Sequence, residues 1–400
     1  MSRVDRNKVI IAGAGPVGLV AALLLGRRGI PFTLVEAEEV LANDLRASTF
    51  HPPTLDMLDD LGLAAPLISM GLISPTWQIR MHETGERAVF DLAAIAADTH
   101  HPYRLQCEQS KLCRLLLDRV LAEGKGEVRM GTRIEQVAQD ANQVTALVGR
   151  DDKVEAIEGR YLIGADGSRS AARRNMGFAF DGKTYPETTI LGTTTFPFEE
   201  HLPDLSNVNY VWKQKGTFSL LRLPDLWRCS LYPDPEESIE DGLQPESIQR
   251  KLQAIVPRDC DYEVLEVRAY RIHMRIVENY RSGRVLLAGD AAHVNSPSGG
   301  MGMNGGIHDA FELVDTLAQV WNGADASLLD RYTRRRRPVA LAEILGQSDR
   351  NRARMQERDI AKRRDMLADL QRIAGNPESV REHLLRSSMI TGLRLAAAIA

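Results

Sequence analysis

The stretch from Lys8 to Glu36 constrains this chain more than any other. Lys8-Val9-Ile10-Ile11-Ala12 reads as a buried strand and runs directly into Gly13-Ala14-Gly15-Pro16-Val17-Gly18. The alanine- and leucine-rich segment Leu19 to Arg28 follows as a good helix former, and Gly29 ends it. A second strand, Phe32 to Val35, finishes on Glu36. Each part has a physical task. Gly13 permits the tight strand-to-helix turn, Gly15 lets backbone come close to a pyrophosphate, and Gly18 lets the helix pack on the sheet. The helix start, with Pro16 and Val17, offers N–H groups and a positive dipole end, and Glu36 with its neighbour Ala37 sits where adenosine ribose hydroxyls would bond. Strand, glycine turn, helix, strand and terminal acid together predict a dinucleotide site.

A chain of 400 residues exceeds what one hydrophobic core usually organises, so two lobes are expected. Apolar and charged fractions of 44% and 26% are ordinary for a globular protein, and a formal charge of -4 points to neither nucleic acid nor another polyanion as partner. The run Arg334 to Arg337 reads as a solvated helix face ending at Pro338, with a phosphate or partner contact as the alternative. Cys107, Cys113, Cys229 and Cys260 show neither CxxC spacing nor a matched histidine pair, which disfavours a disulfide framework or a zinc site. No metal is expected. Lys8 leads at once into a strand, unlike a signal peptide, and the apolar end from Met389 to Ala400 is too short to span a bilayer. The expectation is a cytoplasmic chain without stable membrane association, monomeric or homodimeric.

Two distant segments narrow the dinucleotide. At Tyr161-Leu162-Ile163-Gly164-Ala165-Asp166-Gly167 a short apolar strand ends in a polar turn, which leads to a helix around Ala171–Asn175. A second buried strand, Val285 to Ala288, delivers Gly289-Asp290 at its C-terminal end. A glycine-dense loop is expected after it, through Pro297 and from Gly299 to Gly306, with a helix opening near Ile307. Asp290 at a strand end suits a sugar or ribityl hydroxyl, and the loop glycines permit close backbone approach to a flat ring.

In this order, the three motifs resemble those of the class A flavoprotein monooxygenases, the p-hydroxybenzoate hydroxylase-like family, over Lys8 to about Tyr332. The resemblance implies an α/β fold: a Rossmann-like, GR2-type FAD-binding lobe, an antiparallel-sheet substrate lobe and C-terminal helices. It implies that Gly13, Gly15, Gly18 and Glu36 hold the ADP part of FAD, that Asp166 and Gly167 serve FAD and nicotinamide, and that Gly289 and Asp290 bind the ribityl and pyrophosphate part. Pro297, Gly300, Gly302, Met303 and Asn304 would line the isoalloxazine ring. Arg46, in Arg46-Ala47-Ser48-Thr49, looks like the family's FAD-contacting arginine. Tyr103-Arg104-Leu105-Gln106-Cys107-Glu108-Gln109 looks like its arginine and glutamine pair, with Gln109 the better fit and Gln106 the alternative.

The implied activity is hydroxylation of a phenolic or heteroaromatic small molecule with dioxygen, through a flavin hydroperoxide, with NADH or NADPH as electron donor. No second GxGxxG follows another strand, so the nicotinamide would dock transiently. The expected division gives residues 1–75, 103–178 and 283–330 to the FAD lobe, 76–102 and 179–282 to the substrate lobe, and 331–400 to a helical end. Strand-like pieces at Glu127–Met130, Arg133–Gln139 and Thr145–Val148 suggest a small antiparallel excursion. For the pocket, His51, Tyr210 and Arg222 are the candidates, His51 as a base facing the ring and Arg222 as a partner for a substrate carboxylate. Each has a structural alternative: a packed histidine, a sheet aromatic, a surface ion pair. His293 and His308 read as structural histidines, and His273 is undecided. Another reaction on the same scaffold (reductase, dehydrogenase or halogenase) is the rival, although Trp212-Lys213-Gln214 departs from the halogenase WxWxIP segment. A non-enzymatic flavin-binding protein is the third reading.

Overall fold

The computed structural model describes residues 6–43, 47–150, 153–234 and 236–400. The strand Val9–Ala12 lies inside a six-stranded sheet, flanked in parallel by Phe32–Val35 and by Tyr161–Gly164, which in turn pairs in parallel with Val285–Leu287. All of these strands are fully buried, which is why they read as continuous apolar runs rather than alternating ones. The helix Pro16–Arg27 packs on this sheet beside the helix Met301–Trp321, and Leu19, Leu313 and Leu317 are fully buried in the shared core.

A second sheet has eight strands, ordered His293–Val294, Val264–Ile276, Asp181–Thr194, Trp227–Leu231, Thr217–Arg222, Val208–Trp212, Thr76–Met81 and Arg87–Asp91. It is antiparallel except where Val208–Trp212 runs parallel to Thr76–Met81. One core forms where Trp77, Phe90 and Trp212 meet Leu367 and Leu384 of the C-terminal helices. Another gathers Phe198, Trp227 and Tyr262 against Ile248 and Leu252 of the helix Pro245–Gln253. Among the described residues, no helix is long and apolar enough to cross a membrane.

Three local expectations are corrected. Glu127–Arg129 joins the parallel sheet beside Phe32–Val35, so the antiparallel excursion consists of Arg133–Gln139, Val144–Arg150 and Lys153–Gly159. The helix expected near Ile307 begins at Met301, which places Gly302, Gly305 and Gly306 inside it. Here glycine serves packing rather than turning: a Cβ on Gly306 would lie 2.7 Å from Val17 Cγ2 and 3.0 Å from Gly289 Cα. Helical glycine costs roughly 1 kcal/mol relative to alanine, and the close packing offsets it.

The arginine run is not a solvated face either. Arg336 is 1% exposed and pairs with Asp309 at 2.7 Å, Arg335 donates to the Ile399 carbonyl and Arg337 to that of Val277. Nor does the helix end at Pro338. Asp330–Val339 continues into a π-helical stretch, Ala340–Leu345, and then the helix Gly346–Gln356. Proline removes one N–H and crowds the preceding turn, and the wider π turn is a way for a helix to run on past such a break.

Candidate functional site

The three glycine motifs, more than a hundred residues apart in sequence, end on adjacent strands. Gly13, Gly164 and Gly289 follow or close Val9–Ala12, Tyr161–Gly164 and Val285–Leu287, and backbone bonds from Ala165 to Ala12 and from Ala288 to Gly164 hold the strand ends level. Space there is tight by design of sequence: a Cβ on Gly13, whose φ is +98°, would lie 2.5 Å from the Ala165 carbonyl oxygen. Gly15, in contrast, faces open space. As N-cap it provides no side-chain acceptor and Pro16 follows it, so the first-turn N–H groups are left for a ligand. Glu36 reaches this turn: its carboxylate accepts from Ala14 N at 2.6 Å and Glu38 N at 3.0 Å, with Ala37 partly exposed beside it.

Asp166 accepts from the N–H groups of Ala171 and Ala172 through Oδ2, while its buried Oδ1 has no partner. Arg173, which the sequence reading passed over, ties this segment to the next by donating to the carbonyls of Ser168 and Ala291. Asp290 is exposed on its turn. Beneath it Asp309, fully buried, accepts from Gly289 N at 3.1 Å and pairs with His293 at 2.8 Å and with Arg336. The Arg336 and His293 neighbours hold the Asp309 carboxyl down at about 2. An open glycine cradle, an uncapped helix start, an unpartnered carboxylate oxygen and an exposed strand-end aspartate fit a pyrophosphate-linked dinucleotide. The expected Arg46 lies outside the described residues. Gln109 begins the helix Gln109–Glu123 and is partly exposed, whereas Gln106 is buried in a strand, accepting from Thr49 with its amide nitrogen unpartnered.

The loop after Asp290 turns at Pro297, whose carbonyl accepts from Gly300 N at 3.0 Å, with positive φ at Gly299 and Gly300. Asn304 fastens it, donating to the carbonyls of Thr49 and Gly300 and accepting from His51 N. That side chain is fully buried and occupied within the loop, and Met303 and Gly302 lie on the helical turn beside it. His51, fully buried, donates from Nε2 to the Gly299 carbonyl at 2.8 Å. Burial, and then the Arg104 charge, push its pKa down to about 3, so it is a neutral strut behind the loop. His308 bonds to Thr54 at 2.8 Å and is likewise driven down to about 3 by burial. His273 bonds Thr184 on the sheet surface.

In front of the loop lies a cavity of about 410 Å³. Gly299 and Met301 form its floor, Trp77, Arg104 and Tyr210 one side, and Asn351, Arg354 and His383 the other. Of the three pocket candidates only Tyr210 lines it. His51 stands behind the loop, and Arg222 pairs with Glu199 at 2.7 Å. The sequence reading assigned no role to the helices Gly346–Gln356 and Pro377–Ser387, which carry Arg354 and His383. No periodicity marks these two residues; only the folded arrangement turns them inward.

Comparison with known proteins agrees with this geometry. The family model described as FAD binding domain matches residues 6–344. The chain is 32% identical over 393 residues to para-nitrophenol 4-monooxygenase of Pseudomonas sp. (strain WBC-3), covering 97% of this chain and 96% of that one. It is 33% identical over 334 residues to 6-hydroxy-3-succinoylpyridine 3-monooxygenase of Pseudomonas putida, covering 83% and 84%. The crystal structure of a p-nitrophenol 4-monooxygenase from Pseudomonas putida superposes with a TM-score of 0.90 at 30% identity, over 97% of this chain and 98% of the other.

Proposed function

The chain belongs to the FAD-dependent aromatic monooxygenases, the class A flavoprotein hydroxylases, which use NAD(P)H, and from that premise we propose that it hydroxylates a single-ring phenol or hydroxylated heteroarene in the cavity above Gly299. The observation that carries this reading is the cavity itself, closed by aromatic and cationic side chains directly over the glycine loop. Single-ring compounds named for the relatives matched over most of their length agree with it.

FAD, when bound, supplies the chemistry with dioxygen. The ADP end would rest on Gly13, Gly15 and Gly18 with Glu36 at the ribose, and the ribityl and pyrophosphate part on Gly289 and Asp290. The Pro297–Gly300 turn would border the ring. The protein's own tasks are to orient the substrate, exclude water and favour its ionised form. Arg104 is 3% exposed and sits with its guanidinium 5.0 Å from the Trp77 ring centroid. A fixed positive charge in so dry a site favours a phenolate, and an ionised hydroxyl makes the ring a better nucleophile. His51 and His383, held neutral at about 3 and about 4, are weak bases, so the electrostatic field does most of this work. We also place the enzyme in the cytoplasm, a setting that suits NAD(P)H and four cysteines that all stand outside disulfides.

The test is to supply the FAD-loaded enzyme with NAD(P)H, ¹⁸O₂ and a panel of monocyclic phenols. The expected outcome is substrate-stimulated NAD(P)H oxidation and a product that gains one labelled oxygen. Peroxide as the only oxygen product across the panel would sink the reading.

A further inference from the structure

Four buried polar atoms without a hydrogen-bond partner border one cavity: Trp77 Nε1, Arg104 Nε, His383 Nε2 and Ser387 Oγ. Buried polar groups are nearly always paired, so a cluster of orphans around one void marks groups awaiting a ligand. Trp77, Arg104 and Ser387 are 4%, 3% and 6% exposed, which leaves little scope for bulk water to satisfy them. Trp77 and arginine only donate, and a hydroxyl or a neutral imidazole nitrogen can donate too. The missing partner is therefore an acceptor.

The charge inventory agrees. Among the described residues no ion pair reaches Arg104, Arg350 or Arg354, and no aspartate or glutamate lines the cavity. Burial, and the other cations nearby, push the Arg354 pKa and that of His383 downward, which places the charges of Arg104, Arg350 and Arg354 within reach of one another without a counterion. Arg354 is also held in place. The Trp212 indole donates to its backbone carbonyl at 3.0 Å, which pins the last turn of the helix Gly346–Gln356 to the eight-stranded sheet. His383 is braced by stacking on Phe90 at 4.6 Å.

We propose that the substrate carries, besides its phenolic oxygen, a second substituent with a planar pair of negatively charged oxygens, and that Arg354 is the specificity-determining residue that binds it, with His383 and Ser387 as neutral partners. This rests on the reading of the cavity as the phenol site. It assigns substrate selection to helices beyond residue 344, where the family match ends. Arg104 and Tyr210 hold the phenolic side of the ring, and Arg354 faces them across the cavity. A carboxylate and a nitro group both present the required oxygens; a methyl or carboxamide group does not.

The experiment measures Kd from the change in flavin absorption when phenols bind the oxidised, FAD-loaded enzyme. The probes are 4-hydroxybenzoate, 4-nitrophenol, 4-hydroxybenzamide and 4-methylphenol. One or both of the first two should bind roughly ten- to a hundred-fold tighter than the last two, the range expected for hydrogen bonds to a charged group. Arg354→Met should abolish that margin and leave 4-methylphenol affinity within about threefold, and Arg354→Lys should restore part of it. Equal affinity for all four phenols in the unmodified enzyme overturns the proposal, and that comparison needs no variant to fold. Uniform weakening of every phenol by Arg354→Met overturns it as well, because it would reveal packing alone. If no phenol perturbs the flavin or stimulates NAD(P)H oxidation, the phenol reading falls and this inference falls with it.

Discussion

At the scale of single residues, burial sets what the histidines do. His51 and His308 resemble catalytic bases in sequence, yet each is sealed in the core with one ring nitrogen bonded to a neighbour. Their folded pKa values of about 3 lie below the ordinary value of 6.5. The unfolded chain therefore takes up protons below about pH 6.5 that the fold refuses, and stability falls as pH drops through that window. The slope is up to about 1.4 kcal/mol per pH unit for each histidine. Urea midpoints recorded from pH 7 to pH 4.5 should fall accordingly, and His51→Gln should flatten the curve; an unchanged slope would refute the assignment. Asp309 does not blur this window, since its carboxyl, held at about 2, gives up its contribution only near and below its ordinary pKa of 3.8. That Arg336 is buried while Arg334 and Arg335 are not was illegible in four identical letters. It depends on Asp309, 27 positions away and brought near only by the fold.

At the scale of elements, the dinucleotide cradle was readable because each of its parts is local. A strand, a glycine and a helix start are contiguous in sequence, and fully buried parallel strands betray themselves as unbroken apolar runs. The helix Met301–Trp321 was misjudged at its start for an equally physical reason. Glycine weakens a helix in isolation, and only contact with Val17 and the Gly289 turn makes it the residue of choice at Gly306. Gly306→Ala should push this helix from the turn that carries Asp290, at a cost of about 1–3 kcal/mol for overpacking. Loss of FAD on gel filtration together with a lowered Tm is the expected outcome. Full flavin content at an unchanged Tm would show that the turn has room to spare.

For the whole molecule, the cavity wall is the part that no stretch of sequence announces. Trp77, Arg104, Tyr210, Gly299, Arg354 and His383 sit on six separate segments. The helix Gly346–Gln356 is fastened to the large sheet by Arg352, which pairs with Glu187 at 2.7 Å and stacks over Tyr185 at 3.9 Å, while Tyr185 donates to Asp349 at 2.5 Å. Arg352→Met should leave FAD in place and loosen the wall, so that more NAD(P)H ends as peroxide for each substrate molecule hydroxylated. A product-to-NAD(P)H ratio equal to that of the unmodified enzyme would argue against a tight wall as the reason for coupling.

The wall has a further consequence for how such an enzyme diversifies. Glycine cradle, strand-end aspartate and loop all lie before residue 344, while two of the side chains facing the ring from across the cavity come after it. The power to oxidise and the choice of what to oxidise are thus encoded in separate stretches of the gene. Recombination or drift in the last sixty or so codons could trade one arene for another without reopening the harder problem of holding a flavin.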